Sequence, residues 1–240
     1  MSDSDLTSED FPPLSCKQCE RAEALGFDFT MAFQPIVDLE AHEIFAYEAL
    51  VRGKNGESAG SILARIDDSN RYRFDQACRV KAVKLASELG MQARLSINFM
   101  PNAIYKPESC IRTTLAATET YGFPETQIIF EVTESEEISD KAHLQHIFDY
   151  YKSRGFLTAI DDFGAGYAGL ALLAEFQPSL IKLDMGLMRG IDDDVNRQAI
   201  AEGVLSACRR LGIDIIAEGI ESKGELDYIY DRGVRKFQGF

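Results

Sequence analysis

The chain has 240 residues, 45% of them hydrophobic, which is enough for one large core in a single domain. Its 25 basic and 39 acidic residues give a formal net charge of -14. This charge argues against binding of long nucleic acid, which needs Lys and Arg to displace counterions from phosphates, whereas a small anionic ligand could bind with the help of cations.

The cysteine content and the first residues bear on the cellular compartment. Five Cys residues are scattered along the chain, an odd number that does not form a disulfide framework. Residues 1–5, Met-Ser-Asp-Ser-Asp, lack the basic and apolar regions of a signal peptide. No apolar run approaches the roughly 18 residues of a membrane span. We therefore expect a soluble, cytoplasmic protein that does not engage a membrane.

Residues 1–28 are predicted to be a polar, acidic leader that contains Pro12, Pro13 and the spacing Cys16-x-x-Cys19. Because hydrophobic periodicity is weak there, we expect this leader to be poorly ordered or to form a short helix. A structural zinc site needs four ligands, and no second close cysteine pair follows, so the spacing is only weak support for a metal site. One folded domain is predicted over residues 29–240.

Short β-rich runs alternate with helical patterns from residue 29 onwards. The strands are predicted at residues 29–39, 44–51, 94–99, 127–132, 157–160, 180–183, 213–217 and 234–240. Repeating units of about 30 residues indicate mostly parallel pairing through right-handed crossovers. Eight such strands favour an α/β protein closed into a TIM-type (β/α)8 barrel. An open doubly wound sheet is the alternative topology.

Helical patterns separate these strands and are expected to cover the barrel. The clearest is an apolar stripe that ends at Gly90 and consists of Phe74, Cys78, Ala82, Leu85 and Leu89. Further helices are predicted over residues 113–121, around Leu144, Ile147, Phe148 and Tyr151, around Ile200, Val204 and Leu211, and over residues 226–230.

Polar residues stand where the apolar strand runs end. They are Glu48, Asn98, Glu131, Asp161, Asp162, Lys182, Asp184, Glu218 and Gln238. In a barrel these ends meet at one mouth, where active sites of this fold lie. Any one of them alone is typical of a solvated strand end, but clustered carboxylates repel each other by about 4 kcal/mol per close pair at an effective dielectric near 20. The set therefore requires cations or protons.

Carboxylate oxygens with one amide oxygen are hard ligands that suit Mg²⁺ or Mn²⁺ better than zinc. The adjacent Asp161 and Asp162 are a natural place for two ions to share ligands. Two such ions activate water and stabilise the leaving oxygen in a displacement at phosphorus. Lys182 would add a cation near that water, and Glu218 would orient or deprotonate it. The residues thus indicate metal-dependent phosphodiester hydrolysis.

Eight ordered motifs resemble those of the EAL family. Glu48-Ala49-Leu50-Val51-Arg52 is similar to the motif that names the family. The others are Phe33-Gln34-Pro35-Ile36, Ser96-Ile97-Asn98, Glu131-Val132-Thr133-Glu134, Asp161-Asp162-Phe163-Gly164-Ala165-Gly166-Tyr167, Lys182-Leu183-Asp184, Glu218-Gly219-Ile220-Glu221 and Gln238-Gly239-Phe240. The likeness covers about residue 29 to the end, and eight motifs in order are far more specific than a lone Glu-Ala-Leu.

The resemblance implies a cyclic di-GMP phosphodiesterase that produces linear pGpG with two Mg²⁺ or Mn²⁺ ions per active site. By position, the metal ligands would be Glu48, Asn98, Glu131, Asp161 and Asp162. Lys182 and Glu218 would be catalytic. The substrate would be held by Gln34, Leu50, Arg52, Asp184 and Glu221, with Gln238 supporting the site. Glu134 would anchor the loop with Gly164 and Gly166 near a homodimer interface.

Calcium is expected to inhibit this reaction, because its larger radius and looser coordination would misplace the bridging water. The alternative function is a non-catalytic cyclic di-GMP receptor or a protein-interaction module on the same barrel. Such a protein should have lost a metal ligand or Lys182, and none of these is missing here. A metal-dependent lyase or aldolase fits the carboxylates but not the order of the motifs.

Two features depart from the family pattern. Ala168 occupies a position where the family often has Ser. The sequence stops at Phe240, whereas family members usually continue to a last helix. We therefore expect a barrel that lacks its last C-terminal helix, and the apolar surface left exposed would favour dimerisation.

The remaining candidate sites are interpreted as structural. His143 and His146 share a helix face but lie away from the predicted mouth, so we expect them to be solvated. The run Asp192-Asp193-Asp194 precedes a helical pattern and suits a helix N-terminal cap. Cys78 and Cys208 lie in helical patterns and are predicted to be core residues, while Cys110 is unassigned.

Overall fold

The structure, a computed structural model, describes residues 25–134, 140–166 and 169–239. Within these residues eight strands close into a barrel in which each pairs with its neighbours in the sequence and the last pairs with the first. They are β1 (Thr30–Asp38), β2 (Glu43–Arg52), β3 (Arg94–Asn98), β4 (Ile128–Thr133), β5 (Leu157–Phe163), β6 (Leu180–Leu183), β7 (Asp214–Ile220) and β8 (Lys236–Gly239). The barrel prediction is confirmed, and the open doubly wound sheet is excluded.

Strand β1 runs antiparallel to both of its neighbours, whereas the pairs from β2 to β8 are parallel. The cause is the short turn between β1 and β2, because a connection of a few residues can join only antiparallel strands. Asp38 fixes that turn by accepting the backbone N–H groups of Glu40 and Ala41, each at 3.0 Å. His42 completes the turn with a φ of 56°.

The barrel interior is filled by a layer of apolar side chains. It contains Ile36, Phe45, Ala46, Ile129, Ala159, Leu180 and Ile216. Side chains of a strand alternate between its two faces, so the residue two positions further along points into the same interior. On five parallel strands that residue is Glu48, Glu131, Asp161, Lys182 or Glu218. The strands therefore place an apolar floor directly beneath a charged layer at the mouth.

Helices surround the barrel and bury the larger core between themselves and the strands. The described helices are α1 (Ala59–Leu63), α2 (Arg71–Glu88), α3 (Pro107–Cys110), α4 (Arg112–Tyr121), α5 (Lys141–Ser153), α6 (Gly169–Glu175), α7 (Met185–Met188), α8 (Val195–Leu211) and α9 (Lys223–Asp231). Short 3-10 helices span Pro101–Ala103 and Glu125–Gln127. Strand β8 is the last described element, so within the described residues no helix follows it. Among the described helices, none is both long and apolar enough to cross a bilayer.

The predicted apolar faces are correct for some helices and wrong for others. Leu144, Ile147, Phe148 and Tyr151 on α5 are all buried, as expected. On α8, Val204 and Cys208 are buried as predicted, but Ile200 and Leu211 are 59% and 46% exposed. Ala201 and Leu205 complete the buried face. Leu89 is 66% exposed because it lies just after the end of α2.

Helix α2 buries polar side chains that the apolar stripe did not predict. Arg79 Nη2 lies 2.6 Å from Asp75 Oδ2, and both side chains are almost completely buried. Asp75 Oδ1 also accepts the backbone N–H of Met100 at 2.9 Å. Met100 follows closely after Asn98, so this buried ion pair fixes the segment that leaves β3 at the barrel mouth.

Candidate metal centre at the barrel mouth

Lys182 on β6 lies at the centre of the charged layer. Its Nζ is 2.9 Å from Glu48 Oε2, 2.9 Å from Asp161 Oδ1, 2.9 Å from Glu218 Oε1 and 3.2 Å from Glu131 Oε2. An ammonium group has one positive charge and three N–H donors, so it neither neutralises four carboxylates nor donates a separate hydrogen bond to each. Lys182 thus supplies part of the positive charge that the sequence requires at this mouth, and further cations or protons are needed.

Neighbouring amide and hydroxyl groups orient two of these carboxylates. Asn98 Nδ2 donates to Glu48 Oε1 at 3.0 Å, and Gln238 Nε2 donates to Glu48 Oε2 at 2.8 Å. The hydroxyl of Ser96 donates to Glu131 Oε1. Ser96 had no role in the sequence-based prediction. Its spacing of two residues from Asn98 could have indicated one, because it places both side chains on the same face of β3.

The pKa values of the cluster follow from burial and mutual repulsion. Burial raises the pKa of Glu131 well above its usual range, since Glu48 and Asp161 add repulsion that Lys182 does not outweigh. Burial also raises the pKa of Glu218 to about 8, with repulsion from Asp161 adding to it. For Glu48, burial is outweighed by Lys182 and by hydrogen bonds, so its pKa is lowered. Without metal ions, protons therefore carry part of the charge compensation.

A bulge brings two consecutive carboxylates to the mouth. Adjacent residues of a regular strand point to opposite faces, but the pairing of β5 with β6 shifts between Ile160 and Phe163. Within the shift, Asp162 has a φ of 54°, a left-handed conformation that is uncommon for a residue with a Cβ. Burial and repulsion from Asp161 raise the pKa of Asp162 to about 6.

Two groups of acidic residues offer oxygen atoms within 4.8 Å of one another. The first is Glu48, Glu131 and Asp161, and the second is Asp161, Asp162 and Glu218. Asp161 belongs to both, so the geometry fits two ions that share one carboxylate. All of the donors are oxygens, which suits a hard divalent cation such as Mg²⁺ or Mn²⁺. The buried acidic cluster could therefore hold metal.

Gly219 permits the turn of the chain directly after Glu218. Its φ is 64°, and a Cβ at this position would lie 2.3 Å from the Cβ of Met185 on α7. The pairing of β7 with β8 shifts between Glu218 and Ile220 at the same place. A side chain at residue 219 would therefore displace α7, which begins at the end of β6 close to Lys182.

Glu134 connects the end of β4 to the loop after β5. Its Oε2 accepts the backbone N–H of Gly164 at 2.7 Å and that of Gly166 at 3.3 Å. The side chain is buried, with 6% of the residue exposed. Glu134 thus holds the loop after β5 through two hydrogen bonds. The adjoining Tyr167 and Ala168 lie outside the described residues.

The predicted substrate residues lie on β1 and β2 and directly after β6 and β7. Gln34 pairs with Glu48 in the register of β1 and β2. Leu50 lies beside a cavity of about 310 Å³ that also borders Glu48, Asn98 and Asp161. Arg52, at the end of β2, donates from Nη1 to the carbonyl oxygen of Val51 at 2.7 Å.

Asp184 and Glu221 directly follow β6 and β7. The carboxylate of Asp184 accepts the backbone N–H of Gly186 at 2.8 Å and caps α7. Glu221 forms an ion pair with Arg189, which the sequence-based prediction did not single out. No motif contained Arg189, and only the spatial closeness of the segments after β6 and β7 at the mouth could have indicated it.

Most features that were set aside have structural partners. His143 Nε2 contacts the carbonyl oxygen of Ile104, and His146 Nε2 lies 3.0 Å from Glu108 Oε1, so the two rings have separate partners. Asp194 caps α8 by accepting the N–H groups of Asn196 at 2.9 Å and Arg197 at 3.2 Å.

The cysteines differ from one another. Cys110 and Cys208 are buried. Cys78, which was predicted to be a core residue, is only partly buried and borders the cavity. Cys16 and Cys19 lie outside the described residues, as does nearly all of the predicted leader.

Comparison with known proteins identifies relatives along nearly the whole chain. A family model described as the EAL domain matches residues 19–240. Two similar curated proteins come from Escherichia coli K12. The blue light- and temperature-regulated antirepressor BluF is 33% identical over 210 residues, which cover 87% of this chain and 52% of BluF. The probable cyclic di-GMP phosphodiesterase PdeN is 27% identical over 224 residues, which cover 88% of this chain and 42% of PdeN. The chain thus spans about half or less of these relatives.

Solved structures share the architecture. A standalone versatile EAL protein from Vibrio cholerae O395, in its c-di-GMP bound form, has a TM-score of 0.87 and 56% identity, with 90% of this chain and 91% of that chain covered. BlrP1 from Klebsiella pneumoniae, in a manganese and cyclic di-GMP complex at pH 9.0, has a TM-score of 0.83 and 33% identity, with 96% of this chain and 61% of that chain covered.

Proposed function

The chain belongs to the EAL domain family, and on that premise we propose that it hydrolyses cyclic di-GMP to linear pGpG at the barrel mouth with the help of two divalent metal ions. The observation that carries this proposal is the convergence of Glu48, Glu131, Asp161 and Glu218 on Lys182. Support comes from a relative named as a probable cyclic di-GMP phosphodiesterase and from the c-di-GMP bound form of the Vibrio protein.

The proposed metal ligands are the members of the two acidic groups, together with Asn98, which the family resemblance implies. Glu48, Asn98, Glu131 and Asp161 would hold one Mg²⁺ or Mn²⁺ ion, and Asp161 and Asp162 would hold the other, with Glu218 close to it. The manganese complex of BlrP1 supports this choice of metal. When bound, such ions supply Lewis acidity at the phosphate and lower the pKa of a water molecule.

The side chains of the mouth would then perform the remaining chemistry. Lys182 would donate its N–H groups to the attacking water and to the phosphate oxygen that gains negative charge. Glu218 would accept a proton from that water, since ions nearby would hold its carboxylate in the charged form. Gln238 would keep Glu48 in place through the hydrogen bond to Oε2.

The substrate would lie across the barrel mouth. Gln34, Leu50 and Arg52 would contact it from β1 and β2, and Asp184 and Glu221 from the segments after β6 and β7. The planar fork of Arg52 can donate twice to one phosphate or to one guanine edge.

We extend the proposal to the loop after β5 and to assembly. The hydrogen bonds from Gly164 and Gly166 to Glu134 would couple this loop to occupancy of the metal centre, and two chains would associate near it as a homodimer. Residues 1–28 would be a separate polar leader, and the protein would act in the cytoplasm.

A second candidate is a module that binds cyclic di-GMP or a protein without catalysis. The observation in its favour is the 33% identity to BluF, which is named an antirepressor. The complete set of acidic residues and Lys182 favours hydrolysis, because a receptor does not need a metal-activated water.

The proposal is tested by incubating the purified protein with cyclic di-GMP and Mn²⁺ and separating the products by chromatography. We expect pGpG from the unaltered protein, none from Glu48→Ala, and normal turnover from Glu175→Ala, which alters an exposed carboxylate paired with Lys141. Binding of cyclic di-GMP without turnover would support the receptor instead. Turnover that persists in Glu48→Ala would contradict the metal assignment.

A further inference from the structure

Arg189 and Glu221 form an ion pair on the rim of the mouth. Arg189 follows α7, which begins directly after β6, and Glu221 follows β7. A guanidinium nitrogen of Arg189 contacts Glu221 Oε1, and the two side chains are 51% and 48% exposed. An ion pair with this exposure contributes little to folding stability. Folding stability therefore does not account for the position of this ion pair at the mouth.

The backbones of both residues are held firmly even though their side chains are exposed. Glu225 is buried, and its Oε1 accepts the N–H of Gly190 at 2.7 Å while Oε2 accepts the N–H of Glu221 at 3.0 Å. Arg197 Nη1 donates to the carbonyl oxygen of Arg189 at 2.9 Å. Glu225 thus joins the segments after β6 and β7, so the two exposed side chains project from a fixed frame.

The pair presents donors and acceptors side by side. A guanine base has the complementary arrangement along one continuous edge, with N7 and O6 as acceptors followed by the N1 and N2 groups as donors. Arg pairs with guanine O6 and N7 through two hydrogen bonds, and a carboxylate can accept from N1–H and N2–H. A bare phosphate fits less well, because the carboxylate of Glu221 would repel it while Arg189 attracted it.

We propose that Arg189 and Glu221 together read the edge of one guanine of the substrate, with Arg189 donating to O6 and N7 and Glu221 accepting from N1 and N2. This inference rests on the proposed function and adds Arg189 as a residue that determines base specificity. Adenine offers Arg189 only N7 and presents Glu221 with an acceptor at N1, so it should bind poorly. Hypoxanthine keeps O6, N7 and N1–H but lacks the N2 amine.

Binding measured by calorimetry with cyclic di-GMP, cyclic di-IMP and cyclic di-AMP tests the inference, with Ca²⁺ in place of Mn²⁺ to limit turnover. Arg189→Ala should lower the affinity for cyclic di-GMP and for cyclic di-IMP by roughly tenfold each, and the affinity for cyclic di-AMP much less. Glu221→Gln should weaken cyclic di-GMP more than cyclic di-IMP. Arg189→Lys, which keeps the charge but not the fork, should lose most of the preference for guanine.

The matched control is Arg232→Ala, because Arg232 Nε lies 2.7 Å from Glu202 in another partly exposed ion pair. This pair joins α8 to the residue directly after α9 and does not lie at the mouth. Arg232→Ala should leave all three affinities unchanged. An equal loss for all three dinucleotides in Arg189→Ala, or no loss, would overturn the inference. If the unaltered protein bound none of the three dinucleotides, the proposed function itself would be contradicted. This result differs from a failure of the base-specificity inference alone, in which the unaltered protein still binds cyclic di-GMP.

Discussion

Gln238 Nε2 donates a hydrogen bond of 2.8 Å to Glu48 Oε2, and so links β8 to β2 across the antiparallel β1. The two residues are 190 positions apart in the sequence. The hydrogen bond helps to orient one carboxylate of the candidate metal centre, together with those that Asn98 and Lys182 donate to Glu48. The candidate site therefore includes residues from the strands on both sides of β1.

Removal of this hydrogen bond should weaken metal binding. In Gln238→Ala, Glu48 loses a neutral donor that orients it, and loss of such supporting groups typically costs about 10-fold to 100-fold in metal affinity. Titration of Mn²⁺ by calorimetry measures the effect. Gln92→Ala is the control, since Gln92 is exposed and donates to the carbonyl oxygen of Gly90. Equal affinities for Gln238→Ala and the unaltered protein would show that Glu48 needs no support from β8.

Replacement of Lys182 by Met should destabilise the metal-free protein. Without the ammonium group, four carboxylates remain close together, and removal of one partner from a buried ion pair costs about 3–5 kcal/mol. We expect this loss in urea unfolding with EDTA at pH 8 and a smaller loss at pH 6, where protons can replace the missing charge. A loss of the same size at both pH values would contradict the electrostatic explanation.

Metal affinity should rise with pH. The pKa values of Asp162 and Glu218 are about 6 and about 8 without metal, so below these values an ion must displace protons before it binds. Binding of Mn²⁺ should therefore tighten from pH 6 to pH 8.5 and release protons. Calorimetry in buffers with different ionisation enthalpies counts those protons. Affinity that is independent of pH in this range would show that both carboxylates are already charged.

Folding of the metal-free protein should show the opposite dependence. Because burial raises the pKa of Glu218 from 4.5 to about 8, the folded state binds this proton more tightly than the unfolded state. The stabilisation of the folded state by this proton is fully present below about pH 4.5 and is lost as the pH rises to about 8. Comparison of urea unfolding with that of Glu218→Gln isolates it, since the difference between the two proteins should grow with pH. A constant difference would mean that the folded pKa of Glu218 is not raised.

The loop after β5 should loosen when Glu134 loses its charge. In Glu134→Gln, the hydrogen bonds from Gly164 and Gly166 are no longer assisted by a negative charge, and such bonds are roughly twice as strong as neutral ones. Hydrogen exchange of the Gly164 and Gly166 amides should become faster. Glu125→Gln, at an exposed carboxylate 3.8 Å from Arg154, should leave it unchanged. Unchanged exchange in Glu134→Gln would show that the loop is held elsewhere.

The sequence predicts the barrel well because its strands have distinct apolar runs. All eight predicted strands overlap the observed ones. The charged layer follows from strand periodicity, because Glu48 and Lys182 each lie two residues after an interior residue, Ala46 and Leu180. The buried face of α8 was predicted less well. Its exposed Ile200 lies beside the buried Ala201, and apolar character alone does not distinguish them.

Features that depend on long-range contacts could not be predicted from the sequence. The motifs identified the acidic residues but not that the ammonium of Lys182 lies within 3.2 Å of four of them. The buried pair of Asp75 and Arg79 on α2 was missed, since charged residues within a helical pattern are usually exposed. Arg189 was missed because its contact with Glu221 joins segments that lie after different strands.

The most direct test of the proposed metal centre is a crystal of the protein grown with excess Mn²⁺ and measured near the manganese absorption edge. We predict two anomalous peaks, one among Glu48, Glu131 and Asp161 and one among Asp161, Asp162 and Glu218, with Lys182 moved away from some of its carboxylate partners. A mouth without anomalous peaks, in which Lys182 still contacts all four carboxylates, would contradict hydrolysis by two metal ions.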